Sequence, residues 1–281
     1  MQAALTILQQ SPLARVLDFK CQCDCDAPAA REHTPKFTIS FTRRGGFGYH
    51  VGRRRYDIHS GLVMLEQPGC EYSVTHRCQI KDECTILEFE QDFFEEAQQV
   101  EIGNRLARLF SKNYPFTTLP ATSELEYLHT ALRYAAQAGF AGARLRIDEL
   151  LLALLHRLGA ATRSERTFET ASLLKEWQRD AMDAAKHFIA TNFQRELSLP
   201  EIARHSHVSV FHFCRLFKQF TAHSPYQYLR AMRLQHAALL LRHTSLPVTQ
   251  ICFAAGFNSF EHFILSFTKQ FGRSPSKYRK C

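Results

Sequence analysis

An internal repeat of about fifty residues near the C-terminus constrains the fold of this 281-residue chain more than any other feature. The second half of the repeat recurs at an offset of 50 residues and the first half at an offset of 49. Such self-similarity indicates that one supersecondary unit occurs twice. The matched pairs are Ile202-Ala203 with Ile251-Cys252, Val208-Ser209 with Phe257-Asn258, Phe213 with Phe263, Phe217 with Phe267, Ser224-Pro225 with Ser274-Pro275, and Tyr228 with Tyr278.

The first copy carries the signals of two short helices separated by a tight turn. Ser198 stands before Pro200 and Glu201, which is typical of a capped helix start, and this helix is expected to end near His205. After a short turn, Ser209 is expected to cap a second helix. The buried stripe of that helix is predicted to comprise Phe213, Leu216, Phe217 and Phe220.

The second copy repeats this arrangement. Pro247 opens a helix that runs to Ala255, Gly256 supplies the turn, and either Asn258 or Ser259 caps the next helix. Two short helices joined by a tight turn form a helix-turn-helix, whose second helix enters the major groove of DNA.

A single helix from Pro225 to Leu241 is predicted between the two copies. At 1.5 Å per residue it is about 26 Å long, close to the roughly 34 Å that separates successive major grooves on one side of a duplex. The sequence therefore predicts that both second helices reach adjacent grooves at once.

Positive charge is concentrated in the same part of the chain. Residues from Leu173 to Cys281 hold 15 Lys and Arg against 6 Asp and Glu, a net charge of +9, whereas the whole chain has +8. A basic module joined to a nearly neutral one is typical of a nucleic-acid-binding protein with a separate sensing or assembly domain. Residues 1–20 lack the pattern of an export signal and no apolar stretch is long enough to span a membrane, so we expect a cytoplasmic protein without membrane association.

Several stretches of the last hundred residues match one known pattern. They are Leu199-Pro200-Glu201-Ile202-Ala203, Val208-Ser209, Arg215-Leu216-Phe217-Lys218, Ser224-Pro225-Tyr226-Gln227-Tyr228, Arg233-Leu234, Ala255-Gly256-Phe257-Asn258-Ser259, Phe263, Phe267 and Gly272-Arg273-Ser274-Pro275-Ser276-Lys277-Tyr278-Arg279. Through them, residues 181–281 resemble the DNA-binding domain of the AraC/XylS family of transcriptional regulators. The resemblance implies binding to double-stranded promoter DNA and contact with RNA polymerase.

The same resemblance implies which side chains read bases and which contact phosphates. Arg215 is the foremost expected base contact, because its guanidinium group can bind O6 and N7 of guanine together. Phosphate contacts supply affinity and register without sequence information. The positions implied for base reading are Val210, Phe211, Cys214, Arg215, Ser259, Phe260, Glu261 and Ile264. Those implied for phosphate contact are Arg204, Ser209, Lys218, Lys269, Arg273 and Lys277.

The N-terminal half shows short alternating runs broken by turn signals, which predict antiparallel strands. It resembles, more loosely, the cupin-like effector-binding or dimerisation barrel of the same family. Leucine stripes farther along predict two helices after the strands and a dimer interface, although such stripes also serve packing within a domain. The strands are predicted at Phe37–Thr42, Tyr56–His59, Leu62–Leu65, Tyr72–Thr75 and Thr85–Phe89.

The predicted fold class is therefore α+β. It combines an N-terminal cupin-like antiparallel β-barrel with following helices and a C-terminal all-α domain of two helix-turn-helix units joined by a linker helix. We place the first domain at residues 1–160, a linker at 161–172, where small and charged residues show no apolar period, and the DNA-binding domain at 173–281.

Nine cysteines in a chain without an export signal are expected to be reduced thiols. Five residues in the N-terminal half form a candidate site for zinc or another divalent metal, because thiolates and imidazoles are ligands that zinc prefers. The alternative is a reduced surface segment with scattered core cysteines, since three alternating thiols are not a standard zinc spacing. The candidate ligands are Cys21, Cys23, Cys25, His76 and Cys84.

The sequence favours a regulator that responds, through its N-terminal domain, to an unidentified small effector or to a metal or redox signal, and that forms a homodimer. It is not expected to be an enzyme, and no cofactor other than the candidate metal is expected. The alternative is a cupin-type metal enzyme or an alkylation-repair methyl acceptor fused to a DNA-binding domain. Against these stand the lack, in the predicted barrel, of a closely spaced His-x-His motif with a later Glu and His, and the lack of paired cysteine spacing.

Overall fold

The computed structural model describes residues 3–22, 30–76, 81–98, 104, 115–138, 143–160 and 175–280. The chain divides into two compact units, Met1–Asp183 and Ala184–Cys281. The predicted linker at 161–172 lies outside the described residues, so the predicted domain bounds stay a prediction. None of the helices in these ranges is both long enough and apolar enough to cross a membrane.

The N-terminal unit is built on two antiparallel sheets. Its strands are β1 (Ala3–Gln10), β2 (Ala14–Cys21), β3 (Glu32–His33), β4 (Phe37–Arg44), β5 (Gly46–Val51), β6 (Arg54–His59), β7 (Leu62–Glu66), β8 (Glu71–His76), β9 (Glu83–Phe89) and β10 (Phe116–Pro120). The larger sheet has the order β1-β2-β9-β4-β7-β10, and the smaller has the order β3-β8-β5-β6. All five predicted strands are present.

The two sheets share one apolar core, which includes Phe47 and Ile58 of the smaller sheet and Met64 and Cys84 of the larger. The predicted α+β class and antiparallel architecture are confirmed, although in the part of the chain that the structure describes the two sheets of the predicted β-barrel do not close on each other. Within the described residues no ladder joins an edge of one sheet to an edge of the other. One of these edges is β3, whose two residues are too few for a closing ladder.

Strand β5 shows why some strands escape prediction. It begins at Gly46, a residue that normally signals a turn. Here a Cβ at Gly46 would lie only 2.5 Å from the carbonyl oxygen of Ile58 in the neighbouring strand. The glycine therefore allows two strands to approach closely, and turn composition alone does not distinguish that role.

Helices α1 (Gln91–Gln98), α2 (Ser123–Ala138) and α3 (Ala143–Ala160) follow the strands. The two leucine stripes predicted from the sequence are buried in α2 and α3, and the two helices pack on each other. Their 3.6-residue period was the decisive signal. The buried stripe residues are Leu125, Leu128, Leu132, Ala135, Leu150, Leu151, Leu154, Leu155 and Leu158.

The C-terminal unit is helical throughout its described elements. Helix α4 (Glu176–Asn192) leads into it, followed by α5 (Leu199–His205), α6 (Val210–Thr221), α7 (Pro225–His243), α8 (Val248–Ala254), α9 (Phe260–Phe271) and α10 (Pro275–Arg279). The predicted pairs are therefore α5 with α6 and α8 with α9, and α7 joins them.

The two helix-turn-helix units also share the geometry of one aromatic pair. Phe217 and Tyr228 meet edge to face with ring centroids 5.3 Å apart and an interplanar angle of 85°, and Phe267 and Tyr278 meet at 5.3 Å and 84°. Because aromatic rings favour this arrangement, the same pair fixes each second helix to the helix that follows it.

Candidate DNA-binding surface

The first helix pair begins as the sequence predicts. The Oγ of Ser198 accepts a hydrogen bond from the backbone N–H of Glu201 at 3.3 Å, which caps α5. In the turn, His207 takes a left-handed φ of +54°. The N–H of Val208 then donates to the carbonyl oxygen of Ala203 at 3.3 Å, which closes the turn before α6.

The second helix pair repeats this turn with one additional residue. Gly256 takes the left-handed position with a φ of +88°. The N–H of Phe257 donates to the carbonyl oxygen of Cys252 at 3.1 Å, matching the bond in the first turn. Ser259 caps α9, accepting from the N–H of His262 at 3.2 Å. The offset therefore changes from 49 to 50 at Asn258, the extra residue before the cap.

The predicted base-reading side chains lie at the starts and along the outer faces of α6 and α9. Phe211 is 86% exposed, although phenylalanine is normally buried. Cys214 and Ile264 are half-buried, and the other five are exposed like Phe211. Each helix buries its opposite face through phenylalanines, and of the predicted readers Ile264 also packs against this core.

Three polar side chains of the predicted DNA contacts, one for phosphate and two for bases, differ in their local bonding. The N-cap residue Ser209 makes no side-chain capping hydrogen bond, whereas the Oγ of Ser259 accepts one. The hydroxyl hydrogen of Ser259 can still be donated to an acceptor on DNA. A side-chain nitrogen of Arg215 lies 3.3 Å from Nδ1 of His212, one helical turn earlier, so the guanidinium stays at the exposed surface.

A junction between α4, α7 and the second turn holds the two pairs together. The Nε of Arg233 donates to the carbonyl oxygen of Phe193 at 2.7 Å, and a terminal nitrogen of Arg233 donates to that of Arg195 at 2.8 Å. At Gly256, a Cβ would lie 2.7 Å from the carbonyl oxygen of Gln194. Sequence reasoning missed this junction because its acceptors are backbone atoms, which no side-chain pattern marks.

A family model described as a helix-turn-helix domain matches residues 202–280. The C-terminal part of this chain is an AraC-type helix-turn-helix domain. The family predicted from the sequence is therefore confirmed for this domain.

Curated proteins with similar sequences include a transcription activator and an origin-binding protein. The lactose operon transcription activator of Staphylococcus xylosus is 31% identical over 132 residues, which are 47% of this chain and 47% of that protein. The right origin-binding protein of Escherichia coli K12 is 36% identical over 89 residues, which are 32% of this chain and 31% of that protein. The chain thus spans about half the length, or less, of these curated relatives.

A solved structure of a transcriptional regulator described by its AraC-type DNA-binding domain, from Chromobacterium violaceum, is 33% identical to this chain. The alignment covers 36% of this chain and 89% of that chain, with a TM-score of 0.34.

The predicted phosphate contacts lie on the two reading helices and on the segments before and after them in the AraC-type domain. All six are exposed: Arg204, Ser209, Lys218, Lys269, Arg273 and Lys277. Side chains that reach solvent are able to meet a phosphate backbone. Their assignment to phosphates stays a prediction.

The predicted metal ligands of the N-terminal unit are only partly brought together. Cys21 and His76 lie side by side, joined by Asp82, which the sequence did not single out as a ligand. Cys84 lies outside that group. Its Sγ faces Oγ1 of Thr42 at 3.9 Å, and burial, followed by the charge of Asp82, raises the pKa of its thiol.

Cys23 and Cys25, the other two predicted ligands, lie outside the described residues.

A cavity of about 140 Å³ lies in the N-terminal unit beside a buried carboxyl group. Glu66 accepts hydrogen bonds from the hydroxyl of Tyr49 at 2.8 Å and from that of Thr34 at 2.9 Å. Burial raises the pKa of Glu66, although both hydrogen bonds lower it. Aromatic rings of Phe19, Phe47 and other residues line the same cavity, together with the carboxyl groups of Glu66, Asp82 and Glu88.

Proposed function

We propose that this protein is a sequence-specific DNA-binding transcriptional regulator. The observation that carries the proposal is the pair of helix-turn-helix units whose reading helices, α6 and α9, present exposed side chains while α7 joins them. The net charge of +9 after residue 172 supports it, because basic surfaces gain affinity by releasing counterions from DNA.

The experiment compares two residues of α6, Arg215 and Lys218. Genomic fragments retained by the purified protein at physiological salt supply the specific duplex, and a shuffled duplex of equal length serves as the nonspecific one. Arg215→Ala is expected to weaken specific binding about tenfold or more and nonspecific binding far less, because a bidentate base contact is worth about 1–3 kcal/mol.

Lys218→Ala is the matched control. As a phosphate contact, it is expected to weaken binding to both duplexes alike and to lower the slope of log affinity against log salt by about 1. Equal losses on the two duplexes for Arg215→Ala would contradict its role as a base reader.

The N-terminal unit is proposed to receive the signal. A cavity of about 140 Å³ is comparable to one that admits benzene, so the effector is expected to be about that size.

A homodimer is supported by large apolar side chains on the helix pair, since Tyr134 of α2 is 74% exposed and Leu145 of α3 is 69% exposed. We further propose contact with RNA polymerase at promoters and action in the compartment that holds the genome.

An enzymatic role is not proposed. The curated relatives that match the AraC-type domain are named as regulators or as a DNA-binding protein, and none of those reported above is named as an enzyme.

A further inference from the structure

We propose that Cys21, His76 and Asp82 form a zinc-binding site in the N-terminal unit. One ligand atom from each lies within 4.8 Å of the other two, and all three residues are buried. The Sγ of Cys21 lies 3.4 Å from Nδ1 of His76, and this nitrogen lies 2.9 Å from Oδ1 of Asp82. Within the described ranges, no other set of three His, Cys, Asp or Glu side chains converges in this way.

The donor set selects the metal. A thiolate and an imidazole favour zinc, whereas magnesium and calcium require oxygen ligands. In a tetrahedral zinc site with bonds of about 2.3 Å to sulfur and about 2.05 Å to nitrogen, these two atoms stand about 3.6 Å apart. The observed distance from Cys21 to His76 is 3.4 Å, so little movement is needed there. The Asp82 oxygen would move away from the imidazole by about 0.5 Å.

Charge balance supports a divalent ion. Cys21, His76 and Asp82 are 4%, 6% and 2% exposed. A buried charge without compensation is costly. One Zn²⁺ neutralises a thiolate and a carboxylate together, so the loaded site carries no net charge.

The ligands come from both sheets at fixed backbone positions. Cys21 ends β2, and its N–H donates to the carbonyl oxygen of Asp82 at 2.9 Å, just before β9 of the same sheet. His76 ends β8 of the smaller sheet, where it pairs with Phe47 of β5. A metal bound by all three therefore links the two sheets, and two of its ligands, Cys21 and His76, stand at strand ends, which hold side chains more rigidly than loops do.

Two of the three ligands, His76 and Asp82, also line the cavity. A fourth ligand is therefore expected to reach the metal from that side. Three protein ligands with an open position are typical of zinc sites that take water or another small ligand. The site thus gives the N-terminal unit a means to sense either the metal itself or a molecule that coordinates it.

The test uses the full chain without DNA, so its result does not depend on the proposed regulator function. After chelator treatment, zinc chloride is added in competition with a chromophoric chelator. We expect one equivalent to bind and the melting temperature to rise, because metal that binds only the folded state stabilises it. Cobalt(II) is expected to give the charge-transfer band of a thiolate ligand.

Substitutions separate this group from the other thiols. Cys21→Ser and His76→Ala are expected to weaken zinc binding at least about 100-fold, since they remove ligands directly. Cys84→Ser is the matched buried control and is expected to retain wild-type affinity. Loss of binding in Cys84→Ser, with retention in Cys21→Ser, would overturn the assignment.

A second variant keeps the test decisive if Cys21→Ser fails to fold. It replaces Cys23, Cys25 and Cys78 by Ser and leaves Cys21, His76 and Asp82 intact. We expect this variant to bind one equivalent and to show the cobalt–thiolate band. Absence of binding in this variant, or a cobalt spectrum without the band, would refute the site.

Discussion

Phe211 is a large apolar side chain at the start of a reading helix, and it is 86% exposed. Its own chain provides no burial that would favour phenylalanine at this position. Contact with the 5-methyl group of thymine is one of the ways in which apolar side chains read the major groove. The exposure of Phe211 therefore suggests a partner outside the protein and agrees with the base-reading position implied by the family.

Replacement of thymine by uracil tests this contact, because uracil lacks the methyl group. Each thymine of the specific duplex is replaced in turn, and affinity is measured for wild type and for Phe211→Ala. We expect one replacement to weaken wild type several-fold and to have little effect on Phe211→Ala, since the methyl contact is already absent.

Phe253→Ala is the matched control, because Phe253 is also exposed, at 60%, but lies on α8 instead of a reading helix. It is expected to respond to every uracil as wild type does. If Phe211→Ala also keeps the full wild-type response, the thymine contact is disproved.

At the scale of elements, the two reading helices end in the same left-handed conformation with different residues. Ala222 ends α6 with a φ of +60°, and Gly272 ends α9 with a φ of +71°. A left-handed residue with a Cβ costs roughly 1–2 kcal/mol, whereas glycine adopts this conformation readily. The first unit thus carries backbone strain that the second avoids.

Exchange of these two residues is expected to have opposite effects on the free energy of unfolding. Ala222→Gly should raise it by about 0.5–1 kcal/mol, after the larger unfolded-state entropy of glycine is subtracted from the strain that is relieved. Gly272→Ala should lower it by a similar amount, about 0.5–1 kcal/mol, because a Cβ there meets no atom within 4 Å and only the strain, less the same entropy difference, remains. Urea denaturation followed by circular dichroism measures both, and changes of the same sign would contradict this explanation.

Periodic elements could be predicted from the sequence, and contacts between distant segments could not. The stripes of α2, α3, α6 and α9 were predictable because each helix buries a regular face. Asp82 was missed as a neighbour of Cys21 because the strand register that brings them together depends on the whole sheet. Cys84 was predicted as a metal ligand because a thiolate is a ligand that zinc prefers, but it lies outside the group, since its thiol faces Thr42.

At the scale of the whole DNA-binding unit, the distance between the reading helices is set by α7 and its attachments. This helix has 19 residues and is about 28 Å long at 1.5 Å per residue. At one end, Tyr226 lies within 3.5 Å of Nε2 of His262 on α9. Farther along, Arg233 is bonded to the end of α4. The linker therefore behaves as a rigid spacer.

A rigid spacer predicts a strict requirement for half-site spacing. Insertion of 5 base pairs between the two half-sites rotates one of them by about half a turn of DNA, so α6 and α9 can no longer engage together. We expect affinity to fall to that of a duplex with one intact half-site. Insertion of 10 base pairs restores the rotation but is expected to lower affinity in the same way, because α7 cannot lengthen to span the added distance. Gel-shift titration measures this, and unchanged affinity after the 5-base-pair insertion would exclude simultaneous engagement.

The two helix-turn-helix units have the same internal ring packing, Phe217 with Tyr228 in the first and Phe267 with Tyr278 in the second. Their exposed faces carry different side chains. Arg215 stands on one reading helix, and Glu261 stands on the other. Two unequal readers in a fixed order on one polypeptide give a bound monomer a polarity along the duplex. A single copy can therefore distinguish upstream from downstream, which a symmetric dimer on a palindrome cannot do.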